Sequence, residues 1–192
     1  GKAIKKLVLA SSSKSRKSLL AKLKVRFESY SPNIVETPCK LEGPRELVKR
    51  LSLLKAKKAL EIYKEHFILS ADTVVFARKQ FLEKTNSRQT AFDNLTKLSG
   101  RRHKVFTGVT FIGLSGEIYY SLSVTRVRFK LLSKFEIEQY LDLNEWQEFA
   151  GSYSIQGFAE SFISFFSGSY SNVVGLPLAD VYKILKNNNL LV

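Results

Sequence analysis

The first third of the chain alternates between apolar runs and helical repeats. Residues 7–10 form an apolar run that predicts a short buried strand. Leucines then recur at helical spacing over residues 19–23, and Ser13 is well placed to be the N-cap of that helix. Residues 25–31 alternate apolar and polar positions, which predicts a second strand. The proline-containing stretch 32–43 is expected to be a loop.

The middle third predicts the longest elements. A helix is expected to begin at Pro44, because apolar residues recur on one face of the sequence that follows. Residues 68–76 give the strongest strand signal, being apolar apart from three polar side chains, and a polar loop is expected to follow. Apolar positions at helical spacing over residues 91–98 predict another helix. Residues 103–113 and 117–130 alternate with period two around a Ser-Gly turn, which predicts a β-hairpin.

The last third begins with a capping-box signature, Ser133–Glu136, which predicts a helix that continues to about Leu143. A strand is expected near residues 162–166. The glycine- and serine-rich stretch 167–175 is expected to be a loop, and a final helix follows Pro177.

The order of these elements, β-α-β-α-β-α-β-β-α-β-α without internal repeats, predicts the α/β class with a mixed, twisted sheet flanked by helices. The composition is ordinary for a globular protein, with 44% hydrophobic and 25% charged residues. A chain of 192 residues fits one domain over residues 1–192 or two small lobes. No linker marks a boundary between lobes.

The sequence also bears on the compartment. The basic start, residues 1–6, is followed by only four apolar residues, which is too short for a signal-peptide core. No apolar run approaches the roughly 18 residues of a membrane span. The lone Cys39 excludes an intramolecular disulfide and favours a reducing compartment. We therefore expect a cytoplasmic protein with no membrane partner.

The net charge is the unusual bulk property, at +14 from 31 basic and 17 acidic residues. Such an excess suits polyanionic partners, either nucleotides or nucleic acid. The alternative is that lysines and arginines are spread over solvated helix faces, since the basic clusters are only three or four residues long. The charge therefore favours a class of ligand without selecting an activity.

Asp72 is the side chain that most needs an explanation. It lies in an otherwise apolar strand, and burying an unpaired carboxylate is costly. Strand ends in α/β sheets are where ligands bind, so Asp72 is a candidate functional residue. The alternative is an ordinary role in a turn or in an ion pair with a basic residue.

Ser11, Ser13, Ser15 and Arg16 join the first strand to the first helix. Main-chain N–H groups at a helix start, together with hydroxyls and a cation, can hold an anion. The segment lacks the glycines and the Gly-Lys-Ser/Thr triplet of a Walker A loop. The alternative is a serine-rich turn with solvated basic residues.

Other candidates have weaker local signals. Lys55 borders the apolar face of its helix, where it would either extend its ammonium to water or reach a phosphate. Lys84 is a loop lysine, and Gln156 has an amide that could read a base edge. The two histidines and Cys39 lack metal-ligand spacing, so no zinc site is predicted.

Taken together, these segments resemble the Maf family of nucleotide pyrophosphatases, which is associated with inhibition of septum formation. That family belongs to the same fold group as the inosine triphosphate pyrophosphatases. The resemblance runs over nearly the whole chain and is carried by Leu9–Ser13 with Arg16, Lys55-Ala56, Ala71–Val75, Leu98–Gly100 with His103 and Thr107–Val109, and Ala150–Gly157 followed by Gly168–Leu178.

The resemblance implies two lobes around a cleft and hydrolysis of a nucleoside triphosphate, non-standard or pyrimidine nucleotides included, between its α and β phosphates. The products would be a monophosphate and pyrophosphate, as in a house-cleaning enzyme of nucleotide metabolism. It implies a divalent ion, Mg²⁺ first and Mn²⁺ or Co²⁺ as alternatives, and a homodimer in many members. It assigns catalysis to Asp72, Glu36 and Lys55, metal binding to Asp72 and Glu36, and substrate binding to Ser11, Ser13, Ser15, Arg16, Thr73, Lys84 and Gln156.

This chain departs from the family pattern at positions that bear on the choice of base. Ser15 replaces both the arginine of the thymidine/uridine triphosphate type and the tryptophan of the 7-methylguanosine type. Gln156 favours the pyrimidine type. Lys84 matches the lysine of the family's Gly-Lys-Pro motif but lies between Glu83 and Thr85. Phe149 stands where the family usually has a lysine before Ala-Gly.

Two other functions are consistent with the sequence. The charge and the two departures at Ser15 and Phe149 also fit a nucleic-acid-binding or cell-division regulatory protein on a degenerate enzyme scaffold. A nucleotide sensor that binds without turnover is the third hypothesis. Nucleic acid is the less favoured partner of the two, and a nucleoside triphosphate the more favoured.

Overall fold

The computed structural model describes residues 6–191, so the basic start of the chain lies, except for Lys6, outside the described residues. The elements follow in the order β1 Leu7–Leu9, α1 Lys14–Ala21, β2 Glu28–Ser29, α2 Pro44–Ile62, β3 Phe67–Ala77, β4 Gln80–Phe81, α3 Arg88–Leu98, β5 Arg102–Ile112, β6 Ile118–Phe129, α4 Lys134–Asp142, β7 Ile163–Ser167, α5 Tyr170–Val174 and α6 Leu178–Asn187. Two 3₁₀ turns, Ala150–Ser152 and Phe158–Phe162, lie between α4 and β7.

The strands form one mixed sheet in the order β2-β1-β3-β5-β6-β7, with β4 attached to β3. β1 lies parallel to β2 and to β3, whereas β7 lies antiparallel to β6. The hairpin between β5 and β6 closes with a hydrogen bond from the Gly113 N–H to the Glu117 carbonyl oxygen. The predicted α/β class with a mixed sheet and flanking helices is confirmed.

The chain forms two compact units whose boundary crosses three strands. Unit 1 consists of the residues up to Asp72, Thr107–Ser123 and the residues from Gly175. Unit 2 consists of Thr73–Phe106 and Val124–Val174. Because β3, β5 and β6 each carry residues of both units, no linker separates them, and composition along the chain gave no sign of a boundary.

In unit 1, helix α2 packs its apolar face against the strands. Pro44 is at the first helical turn, where its missing N–H costs nothing. The buried positions recur every three or four residues and are Leu47, Val48, Leu51, Ser52, Lys55, Ala56 and Ala59. Gly108 in β5 allows this helix to approach closely, because a Cβ there would lie 2.8 Å from the main-chain oxygen of Val48.

Unit 2 has its own core around helices α3 and α4. The predicted capping box is present: the Ser133 hydroxyl accepts from the Glu136 N–H, and the Glu136 carboxylate accepts from the Ser133 N–H. Asn172 in α5 is fully buried and donates to the Val105 carbonyl oxygen and the Thr125 hydroxyl. These bonds attach α5 to the neighbouring strands.

The structure corrects three of the predicted elements. The second strand is only Glu28–Ser29 instead of residues 25–31, because it contacts β1 over two residues alone. The polar loop after β3 contains the strand β4, which pairs with the end of β3. The predicted loop 167–175 contains the short helix α5, whose main-chain start is held by the Ser169 hydroxyl.

No helix within residues 6–191 combines the length and the apolar character needed to span a bilayer.

His103 lies in the core of unit 2 and should make stability depend on pH. Its Nε2 is 2.7 Å from the Tyr153 hydroxyl, and its ring contacts Phe129 edge-on. Burial lowers the pKa of His103 from 6.5 to about 4. The unfolded chain therefore binds a proton below about pH 6.5 that the folded chain does not bind until about pH 4.

We expect the free energy of unfolding to fall by about 2 kcal/mol between pH 7 and pH 5 because of His103 alone. Urea unfolding at the two pH values measures the loss. His103→Gln should reduce the loss by that amount, whereas His66→Gln, at the other histidine, should leave it unchanged. An equal loss in wild type and His103→Gln would refute the assignment.

Candidate functional site

Asp72 lies on the side of β3 that faces helix α2. Ser70 is two residues earlier and points the same way, since side chains alternate along a strand. Its hydroxyl donates to the main-chain oxygen of Ser52 in α2. Asp72 reaches the same helix one turn later, at Lys55, and is only 6% exposed. The alternation of β3 thus directs a carboxylate into a buried helix–strand contact.

The ammonium of Lys55 is shared between two carboxylates. Its Nζ lies 2.9 Å from Oδ1 of Asp72 and 3.0 Å from Oε1 of Glu36. It also donates to the main-chain oxygen of Ala71 at 3.4 Å. Of the two alternatives for Lys55, extension to water is wrong, because the head group is buried among these oxygens. Glu36, in the segment between β2 and α2, has 38% of its side chain exposed.

The two oxygens of Asp72 have different surroundings. Oδ1 accepts from Lys55, whereas Oδ2 is buried and has no hydrogen-bond partner within residues 6–191. Burial raises the pKa of Asp72 above its ordinary 3.8, and the charges of Lys55 and Arg16 act against that rise. An ion pair with Lys55, the simpler interpretation of Asp72, accounts for the surroundings of Oδ1 but not for those of Oδ2. The lone buried oxygen is typical of a site that receives a ligand.

Serine hydroxyls organise the start of α1. Ser13 is the N-cap, as predicted, and its Oγ accepts from the Arg16 N–H at 3.2 Å. Ser11 Oγ accepts from the Ser13 N–H at 3.1 Å. Both serines therefore make local hydrogen bonds that fix the shape of the helix start. Ser15, the second residue of α1, is half-buried.

Arg16 connects the start of α1 to the C-terminal part of unit 1. Its Nε donates to the main-chain oxygen of Gly175 at 2.7 Å. Gly175 has a φ of +133°, a conformation that favours glycine. Burial lowers the pKa of Arg16, while the negative charges of Asp72 and Glu36 raise it. Unit 1 thus brings Arg16 and the three predicted catalytic residues into one electrostatically coupled group.

The other three predicted residues belong to unit 2. Thr73 is half-buried and follows Asp72 directly in β3. Lys84 is exposed in the segment between β4 and α3. Gln156 is exposed in the turn that precedes the 3₁₀ turn Phe158–Phe162. An exposed position is suitable for a residue that contacts substrate.

Tyr120 in β6 is a candidate that the sequence did not single out. Its hydroxyl is buried without a hydrogen-bond partner in the described part of the chain and lies 2.8 Å from where a Cβ on Gly108 would be. The pKa of Tyr120 is raised to about 12 by burial and by the charge of Asp72, against the effect of Arg45. Sequence gave no signal, because a tyrosine in an alternating strand is ordinarily a packing residue.

The residues present fit one kind of metal ion. Within residues 6–191, no three His, Cys, Asp or Glu side chains come together as a metal site. A closed zinc site is therefore not formed there. Asp72 Oδ2 and the partly exposed Glu36 do suit Mg²⁺, which is commonly bound by one or two carboxylates together with water and substrate phosphates.

Comparison with known proteins identifies the family. The profile of the family described as Maf-like protein matches residues 6–188. The chain belongs to that family. A Maf-like relative named dTTP/UTP pyrophosphatase, from Chelativorans sp. (strain BNC1), is 44% identical over 187 residues, which cover 94% of this chain and 90% of the relative. A nucleoside triphosphate pyrophosphatase from Anaplasma marginale (strain Florida) is 44% identical over 183 residues, with coverage of 95% and 93%.

Two solved structures resemble this Maf-like protein at 12% sequence identity. A HAM1 protein from Coxiella burnetii matches with a TM-score of 0.48 over 66% of this chain and 73% of that chain. A nucleoside-triphosphatase described as dITP/XTP pyrophosphatase, from Mycobacterium abscessus, matches with a TM-score of 0.45 over 96% and 95%.

The buried ion pair of this Maf-like protein yields a stability prediction. Lys55→Gln leaves the Asp72 carboxylate buried without its cation, so we expect the free energy of unfolding to fall by about 3 kcal/mol. Urea unfolding at pH 7 measures this change. Adding Asp72→Asn should restore at least half of the loss, because the uncompensated charge is then removed.

Lys58→Gln is the matched control, because Lys58 is exposed on the same helix and its replacement should cost less than about 0.5 kcal/mol. If Lys55→Gln costs no more than Lys58→Gln, or if Asp72→Asn gives no recovery, the ion pair does not have the assigned role.

Proposed function

We propose that this chain is a nucleoside triphosphate pyrophosphatase that hydrolyses pyrimidine nucleotides, dTTP and UTP first, between the α and β phosphates. The observation that carries the proposal is the buried, unpartnered Oδ2 of Asp72 beside two cations, Lys55 and Arg16. Two relatives named pyrophosphatases are 44% identical to this chain over nearly its full length. Their names support the proposed reaction.

The basic groups of unit 1 suit a triphosphate. Arg16 lies in the first turn of α1, where main-chain N–H groups and the helix dipole favour negative charge. Its guanidinium is oriented by Gly175, so less side-chain freedom is lost when a phosphate binds. Ser11 and Ser13 act mainly by holding this helix start in shape. Lys84 is exposed, and its role as a further cation for the phosphates is what the family resemblance implies.

Asp72 has the features of the base that activates water. Burial raises the pKa of Asp72 above its ordinary value, as a base requires, while the charges of Lys55 and Arg16 act against that rise. Asp72 accepts a proton from the attacking water, whose oxygen bonds to the α-phosphorus as the bond to the bridging oxygen breaks. Pyrophosphate then leaves with that bridging oxygen, and Lys55 and Arg16 stabilise the negative charge that develops.

A divalent ion, Mg²⁺ first and Mn²⁺ or Co²⁺ as alternatives, completes the proposal. Asp72 and Glu36 would hold it, because they supply the carboxylate oxygens of the group. When bound, such an ion neutralises phosphate charge and lowers the pKa of bound water. Lys55, which contacts both carboxylates, would keep them close together in the absence of the ion.

The choice of base is assigned to Gln156 and Ser15. The Gln156 amide can both donate and accept, which suits the polar edge of a pyrimidine. Ser15 is smaller than either residue typical of the two specificity types, so we expect broad selectivity among pyrimidines. A cytoplasmic location, suggested by the exposed free Cys39, and a homodimer remain predictions.

The test is a turnover panel of standard, methylated and halogenated nucleoside triphosphates with Mg²⁺, read as pyrophosphate release. We expect dTTP and UTP to be hydrolysed, EDTA to stop turnover and added Mg²⁺ to restore it. Asp72→Asn should lower kcat at least ~10²-fold, because the base is lost. It should change stability little, since the Lys55 ammonium keeps its ion pair with Glu36.

The matched control is Asp142→Asn, at an aspartate whose side chain is 71% exposed, which should keep wild-type kcat. Turnover that survives Asp72→Asn would exclude the assigned role of Asp72. Nucleotides that raise the melting temperature without any pyrophosphate release would favour a sensor instead.

A further inference from the structure

The sheet in unit 2 carries four cations and one aromatic ring, which together we call the basic sheet face: Arg102 and Lys104 of β5, Arg126 and Arg128 of β6, and Phe165 of β7. All five side chains are exposed. Their neighbours along each strand, including His103, Val127 and Phe129, point into the core. The alternation of the strands therefore puts every one of these cations on the same open side.

The register of β5 and β6 sets like charges opposite one another. The Phe129 N–H donates to the Arg101 carbonyl oxygen, which pairs these two residues across the strands. The adjacent residues, Arg102 and Arg128, then face each other, and Lys104 faces Arg126 two positions further on. Like charges directly opposite in a sheet are destabilising. Within residues 6–191 these four cations have no carboxylate in ion-pair contact.

An aromatic ring completes the face. Phe165 is the cross-strand neighbour of Arg128 and is 43% exposed. The guanidinium of Arg102 lies over its ring, 5.5 Å from the centroid. A groove of about 630 Å³ runs beside these side chains, and none of the described residues that line it is acidic. Among the cations that line the groove, Lys130 forms an ion pair, with Glu136 at 2.8 Å.

We propose that the basic sheet face binds single-stranded nucleic acid, with phosphates on the four cations and a base stacked on Phe165. The repeated cations complement a repeated phosphate backbone better than a single anion, and an exposed ring offers a stacking surface that any base can use. Single strands are favoured over duplex, because only unpaired bases present a free face to Phe165. This binding is independent of the proposed hydrolysis.

The test is a fluorescence-anisotropy titration of labelled dT and U oligomers of about 20 nucleotides at about 50 and 200 mM salt. We expect both strands to bind, with affinity that falls as salt rises. Arg102→Gln with Arg128→Gln should weaken binding at least tenfold and reduce the slope of log Kd against log salt by about 2. Phe165→Ala should weaken binding at least fivefold without changing the slope, because it removes stacking alone.

The control removes the same charge elsewhere: Lys57→Gln with Lys58→Gln, on the exposed face of α2, should weaken binding less than twofold. Stability supplies a second control, since the Arg102/Arg128 variant relieves a like-charge pair and should melt no lower than wild type. UTP turnover should be unchanged in that variant, so failure of the binding proposal and failure of the proposed hydrolysis are distinguishable.

Several results would overturn the proposal. An equal loss of affinity in the control variant would mean that the net charge alone attracts the oligomers. Duplex DNA bound as tightly as the single strands would exclude stacking on Phe165. Binding to vesicles that contain anionic lipid, lost in the Arg102/Arg128 variant while the oligomers do not bind at all, would assign the face to a membrane surface.

Discussion

The candidate site depends on the two ion pairs that the buried ammonium of Lys55 makes with Asp72 and Glu36. A carboxylate as buried as Asp72 is tolerated only with a counter-charge, and that charge comes from the buried face of α2. The close packing of α2 on the sheet is therefore a condition for an ionised Asp72. In the same contact, Oδ2 of Asp72 has no hydrogen-bond partner among the described residues. The protein therefore loses some folding stability at the residue that is proposed to activate water.

Much of unit 1 could be predicted, because local signals and tertiary contacts agree there. Ser13 was expected as an N-cap and is one, and an ion pair with a basic residue was among the alternatives for Asp72. The partner of Asp72 was not predictable, since the sequence was also consistent with a Lys55 side chain that extends its ammonium to water. Tyr120 gave no signal at all, because its orphaned hydroxyl arises from packing between β6, Gly108 and α2.

The errors in the predicted elements also arise from tertiary contacts that the sequence does not show. The strand β4 is two residues long and exists because it pairs with β3, a contact that composition does not record. Helix α5 lies in a stretch rich in glycine and serine, and its attachment comes from the buried amide of Asn172. The boundary between the units crosses β3, β5 and β6, which no linker signal could reveal. The sequence also did not show where the positive charge is concentrated, because the register of β5 and β6 brings four of the cations together near Phe165.

The account places the attack of water at the α-phosphorus, and the fate of the water oxygen tests that claim most directly. UTP would be hydrolysed by the wild-type protein in water enriched in oxygen-18, and both products would be analysed by mass spectrometry. We expect one labelled oxygen in the uridine monophosphate and none in the pyrophosphate, because the bond to the α-phosphorus is the one formed. Label in the pyrophosphate, or release of orthophosphate in its place, would contradict attack at the α-phosphorus.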